Sequence, residues 1–403
     1  MKFSKLSQLF LVSTIGLLVA SLLTACQIVT IDYIFVANSA SAGSSGAGQI
    51  ETYAVDSESG AMRTGAATVP SGGTSPAALA VSSDYANLYV ANKGNNSVVH
   101  FTIAPNGVLT QKDVATVSTT PVFLAVNAAG TYLYVVSGTN SATLTAYSLS
   151  SGTIGSAAAQ LTLNVPGFTS DVMIPTGVAA LPNNNAVYVT AYDQSAYNPG
   201  GIANSAANPG WVFGFTVGSG GVLTASPGSP YKAGVKPTAI AADPTNRFVY
   251  VTDYASNQLI GYTIQGGSIL NFLLNGPFRT GNEPSALVVD PRGKYIYVAN
   301  SLDSSVTAYV IDLSTGTPSA AVNTTGSQTN QTDTQPVSIL VDPALGRFVY
   351  TANHLGNSIS GFRLDPNAGT LVITQATPYP TGAQPTALVS VPHGNHSLQS
   401  VTP

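Results

Sequence analysis

The sequence predicts an all-β fold: a seven-bladed β-propeller of four-stranded blades, closed by pairing of its C-terminal strand with its N-terminal strands. Three observations predict it. First, one phrase recurs seven times: a proline, a short apolar run, then an aromatic residue followed by Val or Thr and a small or amide residue. PAALAVSSDYANLYVAN (76–92), PTAIAADPTNRFVYVTD (237–253) and PSALVVDPRGKYIYVAN (284–300) are the cleanest copies, and self-similarity at a period near fifty residues marks a propeller. Second, the repeats are out of step at the two ends of the chain, as a closed ring requires. Third, hydrophobic residues make up 44% of the chain and charged residues only 7%, with Gly, Ser, Thr and Asn filling turns between short strands.

In chain order, the N-terminus reads as a targeting segment (1–25). Lys2 and Lys5 precede an apolar core at residues 9–23, which is short for a membrane span. The core ends in Leu23-Thr24-Ala25-Cys26, which resembles a bacterial lipobox, and Cys26 is the only cysteine. The expectation is a lipid on Cys26, a tether over 26–32, and an extracytoplasmic protein anchored to the cell envelope. Gln27 after the cysteine fits an outer-membrane destination in a double-membrane bacterium.

The propeller is expected over 33–391, with a tail at 392–403. Its aromatic positions are Phe35, Tyr89, Tyr134, Tyr188, Tyr250, Tyr297 and Tyr350; its prolines are Pro76, Pro121, Pro175, Pro237, Pro284, Pro336 and Pro385. Each proline-to-aromatic unit reads as two strands, A and B, joined by a turn such as Asp290-Pro291-Arg292-Gly293, with strands C and D following toward the outside. The aromatic at Phe35 lacks a preceding proline strand, and the strand at Pro385 lacks a following aromatic. PTALVSV (385–391) therefore supplies strand A to the blade whose strand B is YIFVAN (33–38), which removes the open edges a linear array would expose.

Tyr-Val-Ala-Asn and Tyr-Val-Thr-Asp resemble the repeats of YVTN-type propellers. GFTVGSGGVLTASPGSPYKAGVKP (214–237) and GFRLDPNAGTLVITQATPYPTGAQP (361–385) resemble the seven-bladed lactonase family, which includes 6-phosphogluconolactonase and a fungal muconate-lactonizing enzyme. The resemblance covers nearly all of the chain beyond its leader. It implies a lactone hydrolase with its site at the channel mouth. The phosphogluconolactonase pattern of an Arg-His pair at the start of strand A and a Glu-Leu pair after strand B has no counterpart here. Strand A begins with sequences such as Val235-Lys236-Pro237, and strand B ends in pairs such as Thr252-Asp253, Ala299-Asn300 and Ala352-Asn353.

Two rings of side chains are expected at the mouth. One precedes each proline: Ser75, Thr120, Ile174, Lys236, Glu283, Gln335 and Gln384. The other ends each strand B: Asn38, Asn92, Ser137, Ala191, Asp253, Asn300 and Asn353. Only Lys236, Asp253 and Glu283 carry charge, and they fall on adjacent blades. They read either as a carboxylate and cation set for hydrolysis or as a structural ion pair. His354, directly after Asn353, is the histidine at the mouth and a candidate base. Asn92, Asn300 and Asn353 are candidate ligand contacts, although Asn also suits turns by bonding its own backbone.

The longest repeat carries an insertion after strand B at 191–211, where Tyr192, Asp193, Tyr197 and Trp211 suit a stacking surface for a ring ligand. No basic cluster exists, so nucleic-acid binding is not expected. HxxH at His393 and His396 lacks acidic neighbours, so neither a metal nor another cofactor is expected. The sequence contains no P-loop and no Gly-x-Ser-x-Gly elbow. The reading is a monomeric, envelope-tethered binding module for a polar ligand, glycan or protein partner, with the lactonase as its alternative.

Overall fold

The computed structural model describes residues 29–40, 46–167, 172–196 and 209–393. The leader, Cys26, Tyr197 and His396 lie outside them. Seven antiparallel sheets form the blades. Blade 1 joins Ala383–Pro392 as strand A to Thr30–Ala40 as strand B, then Ala47–Asp56 and Met62–Thr64. Blades 2 to 7 begin with strands A at Pro76–Val81, Pro121–Val126, Met173–Ala180, Pro237–Ala242, Pro284–Val289 and Pro336–Val341. The closure predicted from the two ends is present: Phe35 pairs with Val389 and Ala37 with Ala387. In blade 1 and in blades 4 to 7, strand D is split into two short pieces that pair with the same strand C, as Met62–Thr64 and Val69–Thr74 do in blade 1 and Ile269–Phe272 and Phe278–Arg279 in blade 5.

Strand B is buried on both faces, because each blade packs against two neighbours. Leu88 and Val90 pack toward blade 1 and Tyr89 and Ala91 toward blade 3. This explains the recurring aromatic. The Tyr89 hydroxyl donates to Gly152 O at 2.6 Å, Tyr188 to Ser268 O at 2.9 Å, and Tyr250 to Gly316 O at 2.6 Å. Tyr297 reaches Gly369 O at 2.9 Å, and Tyr350 crosses the closure to Gly60 O at 2.7 Å. Each acceptor is the C–D turn of the following blade. Burial pushes all five phenols up, so the donating proton is retained.

The turn between strands A and B has its own device. Asp290 accepts from the Lys294 and Tyr295 amides, and Asp342 from those of Leu345, Gly346, Arg347 and Phe348. In blade 1 no such turn exists, since the chain ends fall there. Instead Asp32, on strand B, is fully buried, with the Ala344 backbone amide as the one group that favours its charged form. Desolvation holds its carboxyl well above the usual range, and the nearby Asp342 charge adds to the shift.

Every strand A carries a β-bulge directly after its proline. Pro76 pairs with Asn92 but Ala78 with Ala91, and the other six blades repeat the shift. A bulge sets two residues against one and re-aims the chain. Thr238 and Ser285, the extra residues of blades 5 and 6, each donate at 2.6 Å to the proline carbonyl of the next blade, Pro284 and Pro336; Thr386 of blade 1 reaches Pro76 O at 2.9 Å. The residue before the proline is left-handed in four blades: Ser75, Glu283, Gln335 and Gln384 have φ of 51°, 54°, 60° and 55°. Non-glycine residues in this region are uncommon, and a following proline restricts them further. The proline supplies no N–H, so it loses nothing at the start of the strand.

Candidate active site at the channel mouth

The bulge and the buried faces of strand B decide which side chains reach the mouth. None of the seven residues that precede the prolines is buried. Lys236 and Glu283 are half-buried. The Lys236 ammonium lies 4.3 Å from the Tyr254 ring centroid and 5.7 Å from that of Tyr192. Desolvation lowers its pKa, and the Glu283 charge opposes that shift. Ser301 Oγ donates to the Glu283 carbonyl at 2.9 Å and lies 3.4 Å from its Oε2.

The ring that ends strand B does not line the mouth. Asn38, Asn92, Asp253, Asn300 and Asn353 are 0% exposed, which corrects their expected placement. Because strand B is sandwiched between blades, these side chains are buried in the wall, where Asn92 and Asp253 hold the D-to-A connection and Asn300 and Asn353 bond strand C of their own blade. Asn92 donates from Nδ2 to Ser71 O at 3.1 Å. Asn300 Nδ2 meets Thr307 Oγ1 at 2.8 Å, and Asn353 Nδ2 meets Ser358 and Ser360. Asp253 has the most elaborate set: its oxygens accept from the Val235 and Lys236 amides, both at 2.9 Å, and from Gln258 Nε2 at 3.0 Å. It grips the backbone beneath Lys236. Gly234, at φ +72°, lies so close that a Cβ there would come within 2.1 Å of Asp253 Oδ2.

The residue one step beyond strand B takes the place assigned to the strand end. Lys93, Tyr254, Ser301 and His354 follow Asn92, Asp253, Asn300 and Asn353, and each backbone amide caps the carbonyl of the residue before the proline, as His354 does to Gln335 O at 2.8 Å. Tyr254 and Ser301 were missed by sequence reasoning; the signal that could have found them is the period-two alternation of a strand buried on both faces. His354 is half-buried, and its Nδ1 is 3.1 Å from Pro385 O. A carbonyl only accepts, so Nδ1 carries the hydrogen in the neutral ring and Nε2 keeps its lone pair.

The insertion residues separate. Tyr192 is buried, with the Lys236 ammonium over its ring. Asp193 is buried and accepts from the Ser195 amide at 2.9 Å. Trp211 lies on strand C of blade 4, paired with Lys232, whose ammonium sits 3.7 Å from the indole centroid. Away from the mouth, His393 bonds Pro105 O through Nδ1 at 2.8 Å and packs edge-on to Tyr33. Among the described residues, no group of three or more His, Cys, Asp or Glu could hold a metal ion.

The seven antiparallel sheets, closed by pairing of Ala383–Pro392 with Thr30–Ala40, define a seven-bladed β-propeller. The family described as lactonase, seven-bladed β-propeller, matches residues 45–174 and 218–396, and the chain belongs to that family. Among solved structures, the chain is similar to the periplasmic gluconolactonase of Pseudomonas aeruginosa at 17% identity and a TM-score of 0.72, covering 90% of this chain and 99% of that one. It is also similar to a candidate 6-phosphogluconolactonase of Bacteroides fragilis, at 17% identity and a TM-score of 0.71 over 90% and 98% of the two chains. A protein from Lactobacillus plantarum gives 15% identity and a TM-score of 0.71 over 90% and 99%. No curated protein sequence matches.

Proposed function

We propose that the protein is an extracytoplasmic hydrolase of a small polar lactone, acting at the channel mouth. The observation that carries the proposal is the grouping of Lys236, Glu283 and His354 on the consecutive blades 5, 6 and 7, within a family of lactonases. His354 Nε2 takes a proton from the attacking water, with Nδ1 held by the Pro385 carbonyl. Lys236, steadied between Tyr192 and Tyr254, stabilises the oxyanion as the ester carbonyl becomes tetrahedral. Collapse of that intermediate breaks the ring C–O bond, and the leaving alkoxide recovers the proton from His354. Glu283 holds the Lys236 charge beside the bond under attack.

Removing an aimed base or oxyanion partner costs about a hundredfold in rate. His354→Gln and Lys236→Met should each lower kcat/KM for a responsive lactone by about that factor while melting as the wild type does. A folded wild-type protein that hydrolyses none of a chemically diverse lactone panel overturns the proposal.

That outcome leaves the second reading, a binding module for a polar ligand, glycan or protein. It is favoured by the two tyrosine rings, Tyr192 and Tyr254, that flank the Lys236 ammonium. Either role fits a tether at Cys26. Thr30 starts strand B at the face opposite the mouth, where Pro392 also ends. Four residues of chain span at most ~14 Å, so a lipid on Cys26 would turn that face to the membrane and the mouth outward.

A further inference from the structure

Blade 2 departs from the other blades at one backbone position. Where a turn joins strands A and B, the residue whose amide closes that turn is left-handed. In blades 3 to 7 it is Gly130, Asn184, Asn246, Gly293 and Gly346, at φ of 65°, 62°, 62°, 68° and 59°. Glycine and asparagine tolerate this region best. Blade 2 places Tyr85 there, at φ 59°, with its amide 2.9 Å from Ser82 O. A bulky residue in this conformation is an outlier, and such outliers cluster at ligand sites.

Tyr85 lines a cavity of about 320 Å³ on the face opposite the mouth, where blade 2 meets the strands that close the ring. Tyr33, Asp84, Ile103, Pro105 and Pro392 line it as well. These walls are built into the fold. Tyr33, Tyr85 and Ile103 pack against the core of Phe35, Leu88 and Phe101. A Cβ at Gly107 would come within 2.8 Å of the Tyr33 ring, and His393, held on Pro105 O through Nδ1, packs edge-on to the same ring.

The charge at the cavity is negative and has no counter-charge. No lysine or arginine lines it. Asp84 is exposed, and its Oδ1 accepts from Ser82 Oγ and from the Ala86 amide at 3.1 Å, both neutral donors. Among the described residues, its carboxylate is in no ion pair. Arg63, on the outer strand of blade 1, bonds Thr30 Oγ1 at 2.8 Å and acts on Asp56. Burial pushes the Tyr85 phenol up, and the Asp32 carboxylate, the one charge that acts on it, pushes it the same way. Aromatic rings attract a cation, and apolar walls suit a cation with no N–H left to hydrogen-bond.

We propose that this cavity is a second ligand site, separate from the mouth, for a small quaternary ammonium ion of the choline type. Its methyl groups lie against Tyr33, Tyr85 and Pro392, and Asp84 supplies the opposite charge. Calorimetric titration of the whole protein with choline should give saturable heat. The neutral analogue in which carbon replaces the nitrogen keeps the shape and loses the charge, so it should bind about tenfold more weakly or worse. Tyr85→Asn installs the residue of blades 4 and 5, and Asp84→Asn keeps an oxygen for the Ser82 and Ala86 bonds. Each should unfold cooperatively and weaken choline binding about tenfold. Choline-sensitive pelleting with phosphatidylcholine vesicles assigns the site to a lipid head group, and choline heat without it assigns the site to the free ion; both bear the proposal out. The proposal is overturned by absence of choline heat in the wild type, by equal binding of the neutral analogue, or by full affinity in either variant. Binding of methyl glucoside in place of choline would make the cavity a saccharide site and overturn it too.

Discussion

Asp253→Asn is a test of folding rather than of chemistry, and the structure sets its size. The carboxylate is fully buried and accepts three hydrogen bonds: from the Val235 and Lys236 amides at 2.9 Å each, one per oxygen, and from Gln258 Nε2 at 3.0 Å. Asparagine keeps one acceptor oxygen and turns an NH2 toward a buried N–H that can only donate. At least one hydrogen bond to a charged acceptor is lost, at about 1.5–3 kcal/mol, and a buried donor is left unsatisfied; together these predict a loss of about 2–4 kcal/mol. No compensating partner is at hand, because Gly234 approaches the carboxylate too closely for any larger side chain. Urea unfolding, followed by tyrosine and tryptophan signals, should show a lower midpoint at unchanged slope. A variant within about 0.5 kcal/mol of the wild type, the range of ordinary surface substitutions, would refute the clamp and return Asp253 to the list of candidate catalytic groups.

Two further outcomes follow from the ring closure. Asp32 has a raised folded-state pKa, so the native chain binds its proton more tightly than the unfolded chain does. Its contribution is therefore intact below about pH 4, the unfolded-state value, and is lost as pH rises toward the folded-state pKa. Asp32→Asn should stabilise the protein at pH 7 and lose that advantage as pH falls below about 4, and a gain of equal size at pH 3 would refute the assignment. Deleting the chain from Pro385 onward removes the partner of Thr30–Ala40 and exposes its edge; calorimetry should find no cooperative transition, and retention of the full one would sink the closure.

Much of the ring was legible in the sequence. The recurring prolines and aromatics counted the blades, and the unmatched Phe35 and Pro385 segments named the strands that close the ring. Local chemistry suffices for this: a proline tolerates only the first position of such a strand, and in five blades the aromatic is a tyrosine whose hydroxyl tethers that blade to the next. The same repeat register sets Lys236 and Glu283 directly before a strand A and His354 directly after a strand B. The direction of a side chain was not legible. Whether Asn92 or Lys93, Asp253 or Tyr254, faces the mouth depends on a single residue of register, and a one-residue change moves a side chain to the other face of its strand. That choice was made by burial of strand B on both faces, which turns the final side chain into the neighbouring blade and leaves the mouth to the residue past the end of the sheet. The cavity beside Tyr85 needed more still. Tyr33, Pro105 and Pro392 are separated along the chain and come together only where two blades meet, so no spacing within one repeat announces it. The sequence determined the units and their order because each unit is encoded locally; packing between units alone decided which side chains share a surface.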